Sequence, residues 1–133
     1  MRSVLALVAG FVVIVIASVA VDVLIRAVTP AQFSPRGRVD TTLTLLLYSG
    51  SAVVYTVLGG FVTGRIAPQR PERHAVWLGM VGLVVGVAAS SAYWATAPAW
   101  YHILGWVLVV PAAYAGGRLA ERTRVRKATH AAA

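Results

Sequence analysis

The chain has 133 residues, 59% of them hydrophobic and only 12% charged, with a mean hydropathy of +0.76. Soluble domains carry about 25% charged residues, so this composition excludes an ordinary water-soluble domain and leaves one compact helical membrane domain as the economical reading. A formal charge of +8 sits at the ends of apolar runs and reads as membrane topology and headgroup contact, with no nucleic-acid partner, while the lack of cysteine excludes disulfides, thiolate metal sites and thiol nucleophiles.

The first apolar run opens after Arg2 and carries no formal charge from Ser3 to Val21. Its triplet Ser18-Val19-Ala20 has the small-x-small form of a signal-peptidase site. Apolar residues nevertheless continue through Val28, so the run reads as a span of about 3–28, long enough to cross with tilt. Asp22 is the only acidic residue inside an expected span, and a carboxylate at membrane depth is a functional candidate by default. Arg26 follows at i+4, the spacing that sets both on one helix face as an intramembrane ion pair. Pro30, Pro35 and Gly37 then break the helix and predict a turn over 29–40.

A second span is expected at 41–66, a third at 75–95 and a fourth at 99–119. The last two share the charge-free stretch from His74 to Gly117, about 66 Å long as helix, against a bilayer core of about 30 Å. Their short connection makes them a tight hairpin. Pro111 cannot donate to Val107, which predicts a bend in span four. Arg2, Arg65, Arg70, Arg73, Arg118, Arg122, Arg124, Arg126 and Lys127 fall on one side of this threading, and Arg26, Arg36 and Arg38 on the other. The positive-inside rule puts both termini and the 65–74 turn in the cytoplasm, with the protein in the plasma (inner) membrane. Tyr93, Trp94, Trp100, Tyr101 and Trp106 collect at the opposite end, as rings at headgroup level do.

Lipid tails give apolar helices no reason to associate, so close packing depends on small residues. Gly60-x-x-x-Gly64 and Gly82-x-x-x-Gly86 match the tight-crossing pattern. With Gly79, Gly116 and Gly117 they form the expected packing set, either within the bundle or, for one stripe, at a homo-oligomer seam. A faint internal echo accompanies them. Gly64-Arg65-Ile66-Ala67 recurs as Gly117-Arg118-Leu119-Ala120, and at the same offset Tyr48 matches Tyr101 and Phe61 matches Tyr114.

Reactive groups are few. His74 and His102 lie at opposite ends of the second hairpin and His130 in the tail, so no cluster has metal-ligand spacing and no Ser, His and acid converge. The expectation is no catalysis, no metal and no cofactor. Arg118, Arg122, Arg124, Arg126 and Lys127 are expected to attract anionic headgroups, at about 1 kcal/mol per cation.

The stretch from Gly59-Gly60 through Gly64-Arg65-Ile66-Ala67, continued by Arg70-Pro71, His74-Ala75 and Leu78-Gly79, resembles small four-span bacterial membrane proteins. These share a glycine pair, an Arg closing span two and a His opening span three. The resemblance implies a four-span fold with Arg65 and His74 at the cytoplasmic turn, and it brings no mechanism. Asp22 also invites comparison with small four-helix multidrug exporters, a likeness that stops at size and topology.

The expected fold class is therefore all-α, an integral membrane four-helix bundle of two antiparallel hairpins. It forms one domain over 1–120, followed by a basic, disordered cytoplasmic tail at 121–133. The expected function is that of a small structural or accessory component binding a membrane partner or lipid. The alternative is a small oligomeric transporter or channel using Asp22.

Overall fold

Four apolar segments can satisfy their backbone groups in oil only by closing their own hydrogen bonds, and they do so as helices. The computed structural model describes residues 1–29 and 41–131, leaving aside the side chains at 128, 130 and 131. It contains α1 (Arg2–Val28), α2 (Thr42–Ile66), α3 (Pro71–Ala92) and α4 (Ala99–Ala131), with a single 3-10 turn at Trp94–Thr96. No strand occurs among the described residues, and the protein is an all-α bundle. All four helices are long and apolar enough to cross a membrane. The expected turn over 29–40, with Arg36 and Arg38, lies outside the described residues except for Thr29.

Two boundaries differ from expectation. α3 opens at Pro71, not at 75, because proline at the first helical position has its φ preset and lacks an N–H that would find no partner there. The preceding Arg70 takes the left-handed conformation, φ 47, to turn the chain. α4 does not end at 119 to release a disordered tail. It continues as helix to Ala131, through a segment rich in Ala, Arg and Glu, all strong helix formers. Pro111 sits inside this continuous helix.

α2 and α4 make the most extensive contact, α1 packs chiefly on α2, and α3 packs chiefly on α4. Small residues at one end of the bundle explain that order. A Cβ added at Gly60 would run into the backbone of Ala113, and one at Gly116 into the carbonyl of Val57. Gly64 lies against Gly117 and Ala120, and Gly117 against Ala75. On the other flank Gly10 seats against Gly59 and Thr63. The fully buried Thr63 hydroxyl donates to the Ala6 carbonyl at 3.1 Å, binding α1 to α2. This end carries Arg2, Arg65, Arg70, Arg73 and Arg118 and is called the basic end below. The opposite, aromatic end is built differently.

Candidate functional site

Toward the aromatic end the glycines stop meeting partners. Gly79 still touches Val110 and Ala113, but Gly82 would meet only a methyl of Val109, and nothing lies within 4 Å of a Cβ added at Gly86 or Gly105. Within the bundle Gly82 lies against Val109 of α4 while Gly86 meets no other helix, and both line a cavity of about 430 Å³ shared by all four helices. Its deep part is apolar, with Phe11, Leu78, Val109 and Ala112. Its polar groups come from Ser18, Ser49, Tyr55, Thr56, Ser90, Tyr101, His102 and Trp106, and no Asp, Glu, Lys or Arg is among the described lining residues.

An aromatic rim bounds this end. Trp94 stacks on His102 with ring centroids 4.9 Å apart, and Tyr101 meets the other side of His102 edge-on at 5.6 Å. Trp106 donates its indole N–H to the Ser90 hydroxyl at 3.3 Å, tying α4 to α3 beside the opening. His102 is 8% exposed, and its Nε2 is buried without a hydrogen-bond partner among the described residues. Buried polar atoms are nearly always bonded, so each exception calls for an explanation. Nor does any hydrogen bond among the described residues engage the Tyr55 or Tyr101 hydroxyl.

Asp22 stands apart from the cavity. Arg26 donates through Nε to both carboxylate oxygens, at 3.0 and 2.9 Å, and the Tyr48 hydroxyl donates at 2.8 Å from α2. The two charged side chains are 51% and 42% exposed, which places the pair on the bundle surface. At the basic end His74 Nδ1 lies 3.3 Å from the Arg70 carbonyl, one turn back in the 67–70 connection. Arg65 reaches Thr123 at 3.2 Å and lies over the Phe61 ring. Arg118 binds the Tyr114 hydroxyl at 3.0 Å and lies over that ring. Arg122, Arg126 and Lys127 are exposed on the α4 extension.

Arg124 departs from its expected headgroup role. It donates to the carbonyls of Arg65 and Ala67, at 2.5 and 2.6 Å. The last carbonyls of a helix have no partner within it, and the α4 extension runs where it can supply one.

No family model, curated protein or solved structure matches this chain. Among the described residues no group of His, Asp or Glu is placed to hold a metal.

The cavity and its polar end were not legible in the sequence. Tyr55, Tyr101 and Trp106 read only as apolar or interfacial positions, and His102 as an isolated histidine. A small-x-x-x-small spacing looks the same whether a helix covers it or space does. The Ala6-x-x-x-Gly10 pair was a usable signal for α1, hidden in an otherwise uniform apolar run.

Proposed function

We propose that the protein is a small structural or accessory component of the plasma membrane that binds an apolar membrane molecule, with both termini cytoplasmic. The observation that carries this reading is the cavity, which opens among four membrane-length helices and is lined without a formal charge. A cleft of about 300–1,000 Å³ with an apolar wall and a few convergent polar groups is the usual form of a small-ligand site. The exposed Arg122, Arg126 and Lys127, with Arg118, supply a basic surface for anionic headgroups, each cation worth about 1 kcal/mol near such a surface. The same membrane face has room for a homo-oligomer or another membrane protein. No catalytic role is proposed.

A carrier built on Asp22 is the weaker reading. A proton-coupled carboxylate has to face the transported species, whereas Asp22 is paired with Arg26 and Tyr48 and is not among the residues that line the cavity. Proteoliposomes separate the two. Uptake of a lipophilic cation under an imposed pH gradient is expected to be the same for the wild type, Asp22→Asn and empty vesicles, while solvent extraction of the purified protein yields a bound lipid near one per chain. Uptake that Asp22→Asn abolishes would establish the carrier instead. Reporters fused at the two ends test the topology and are expected on the same, cytoplasmic side.

A further inference from the structure

The shape of the cavity narrows what it can hold. Along α3 it runs from Ser90 to Leu78 and along α4 from Tyr101 to Ala112. At the helical rise these are lengths of about 18 and 16 Å. One leaflet of a bilayer core is about 15 Å deep, so the cavity reaches from the aromatic end to about the midplane, the depth of one chain in one leaflet. The cavity is thus elongated along the helices, a shape that suits an extended hydrocarbon chain.

Ser90, Tyr101 and His102 stand at the aromatic end, and Leu78, Val109 and Ala112, with the buried Thr56, form the blind end. The hydroxyls of Tyr55 and Tyr101, which no hydrogen bond among the described residues engages, belong to residues of this wall, whereas His102 Nε2 is closed off from it. Such a hydroxyl can bond an uncharged oxygen at no cost in charge desolvation. An ionised head would be drawn from water against a wall with no formal charge among its described residues, which is costly.

Resting on the lipid-binding reading above, we propose that the cavity holds one long hydrocarbon chain ending in an uncharged hydrogen-bonding oxygen, such as a lipid alcohol. The oxygen lies beside the Tyr101 hydroxyl, and the chain tail against Leu78, Val109 and Ala112. Acyl and isoprenoid alcohols share this chemistry.

The full chain in phosphatidylcholine nanodiscs provides the test, with 16-carbon probes carrying a photoreactive diazirine near the tail. One probe is hexadecanol and the other hexadecyl phosphate. The alcohol is expected to label the blind end around Leu78, Val109 and Ala112, and to be displaced by unlabelled hexadecanol and by a long isoprenoid alcohol. Whichever displaces at the lower concentration identifies the chain type. Gly86→Leu, which meets no atom at its Cβ, obstructs the cavity part-way along and is expected to abolish this labelling. Tyr101→Phe keeps the ring and removes only the hydroxyl, and should weaken alcohol labelling about 3- to 10-fold. The phosphate is expected to label at least about tenfold less. Phosphate labelling equal to the alcohol's, still lost in Gly86→Leu, would overturn the uncharged head while leaving a lipid site standing. Labelling spread over the exposed face of α1 and indifferent to Gly86→Leu would overturn the lipid site as well.

Discussion

Whether a glycine in this bundle is needed depends on what stands opposite its missing side chain. Gly60 and Gly116 face backbone atoms of the partner helix, which cannot rotate away. Gly60→Ala or Gly116→Ala is therefore expected to lower stability by about 1–3 kcal/mol, the usual cost of overpacking. Gly86→Ala and Gly105→Ala face open space and should be neutral or stabilising by up to about 1 kcal/mol, since alanine is the better helix former. Reversible unfolding of the four variants in mixed micelles measures the contrast, and equal losses at all four sites would contradict it. Asp22 sits at the other extreme. Its pair with Arg26 is close to half exposed, and exposed pairs contribute about 0–1 kcal/mol. Asp22→Asn should therefore change unfolding by less than about 1 kcal/mol, which makes it a clean control for the transport assay.

Helix by helix, the charge-free runs located all four helices long and apolar enough to cross a membrane, because such a helix must be apolar along its length with polar residues confined to its ends. The boundaries were less legible. Span four was expected to stop at 119, where hydropathy falls, but helix formation outlasts membrane burial when the continuing residues are good helix formers with partners alongside. Arg124 is such a residue, and no pattern along the chain reveals that it meets carbonyls of α2 nearly sixty positions earlier. Hydrogen bonds from a charged donor are worth about 1.5–3 kcal/mol, reduced here by the part-exposed setting. Arg124→Ala is expected to cost about 1–2 kcal/mol and to speed amide exchange in the last turn of α2, whereas Arg122→Ala and Arg126→Ala leave both unchanged. Hydrogen exchange read at residues 62–67 separates these outcomes.

The echo between the two halves also belongs to this scale. Gly60 meets Ala113 and Gly64 meets Gly117, partners that are 53 positions apart in each case. Arg65 over Phe61 is repeated as Arg118 over Tyr114 at the same offset. The first helices of the halves match at a different offset, with Ala6 and Gly10 standing for Ala75 and Gly79, all four buried against a following helix. A shorter α3, a shorter connection to α4 and an α4 that starts closer to its contact residues together account for the change of offset. A comparison of the sequence halves at one fixed spacing therefore finds the second helices and misses the first.

For the molecule as a whole, the contrast between a tight basic end and an open aromatic end makes stability depend on what occupies the cavity. An empty apolar space leaves its lining atoms without contacts on one side. A ligand that binds only the folded state adds stability as RT ln(1 + [L]/Kd), about 2.7 kcal/mol at a hundredfold excess over Kd. Extensive delipidation in detergent should therefore lower the Tm of the wild type by several degrees, since 1 kcal/mol corresponds to about 4–8 °C in a domain of up to 100 residues and about 2–4 °C in larger ones. Gly86→Leu obstructs the cavity and keeps the alcohol out, so its Tm should fall by less than the wild type's on delipidation. Restoring hexadecanol should recover the wild type and leave Gly86→Leu where it was. Equal falls in the two proteins would mean that lipid stabilises the bundle from its outer surface, along the exposed apolar faces of α1 and α3, and that the cavity contributes nothing to the effect. Thermal scans before delipidation, after it and after alcohol addition distinguish an occupied interior from a merely solvated exterior.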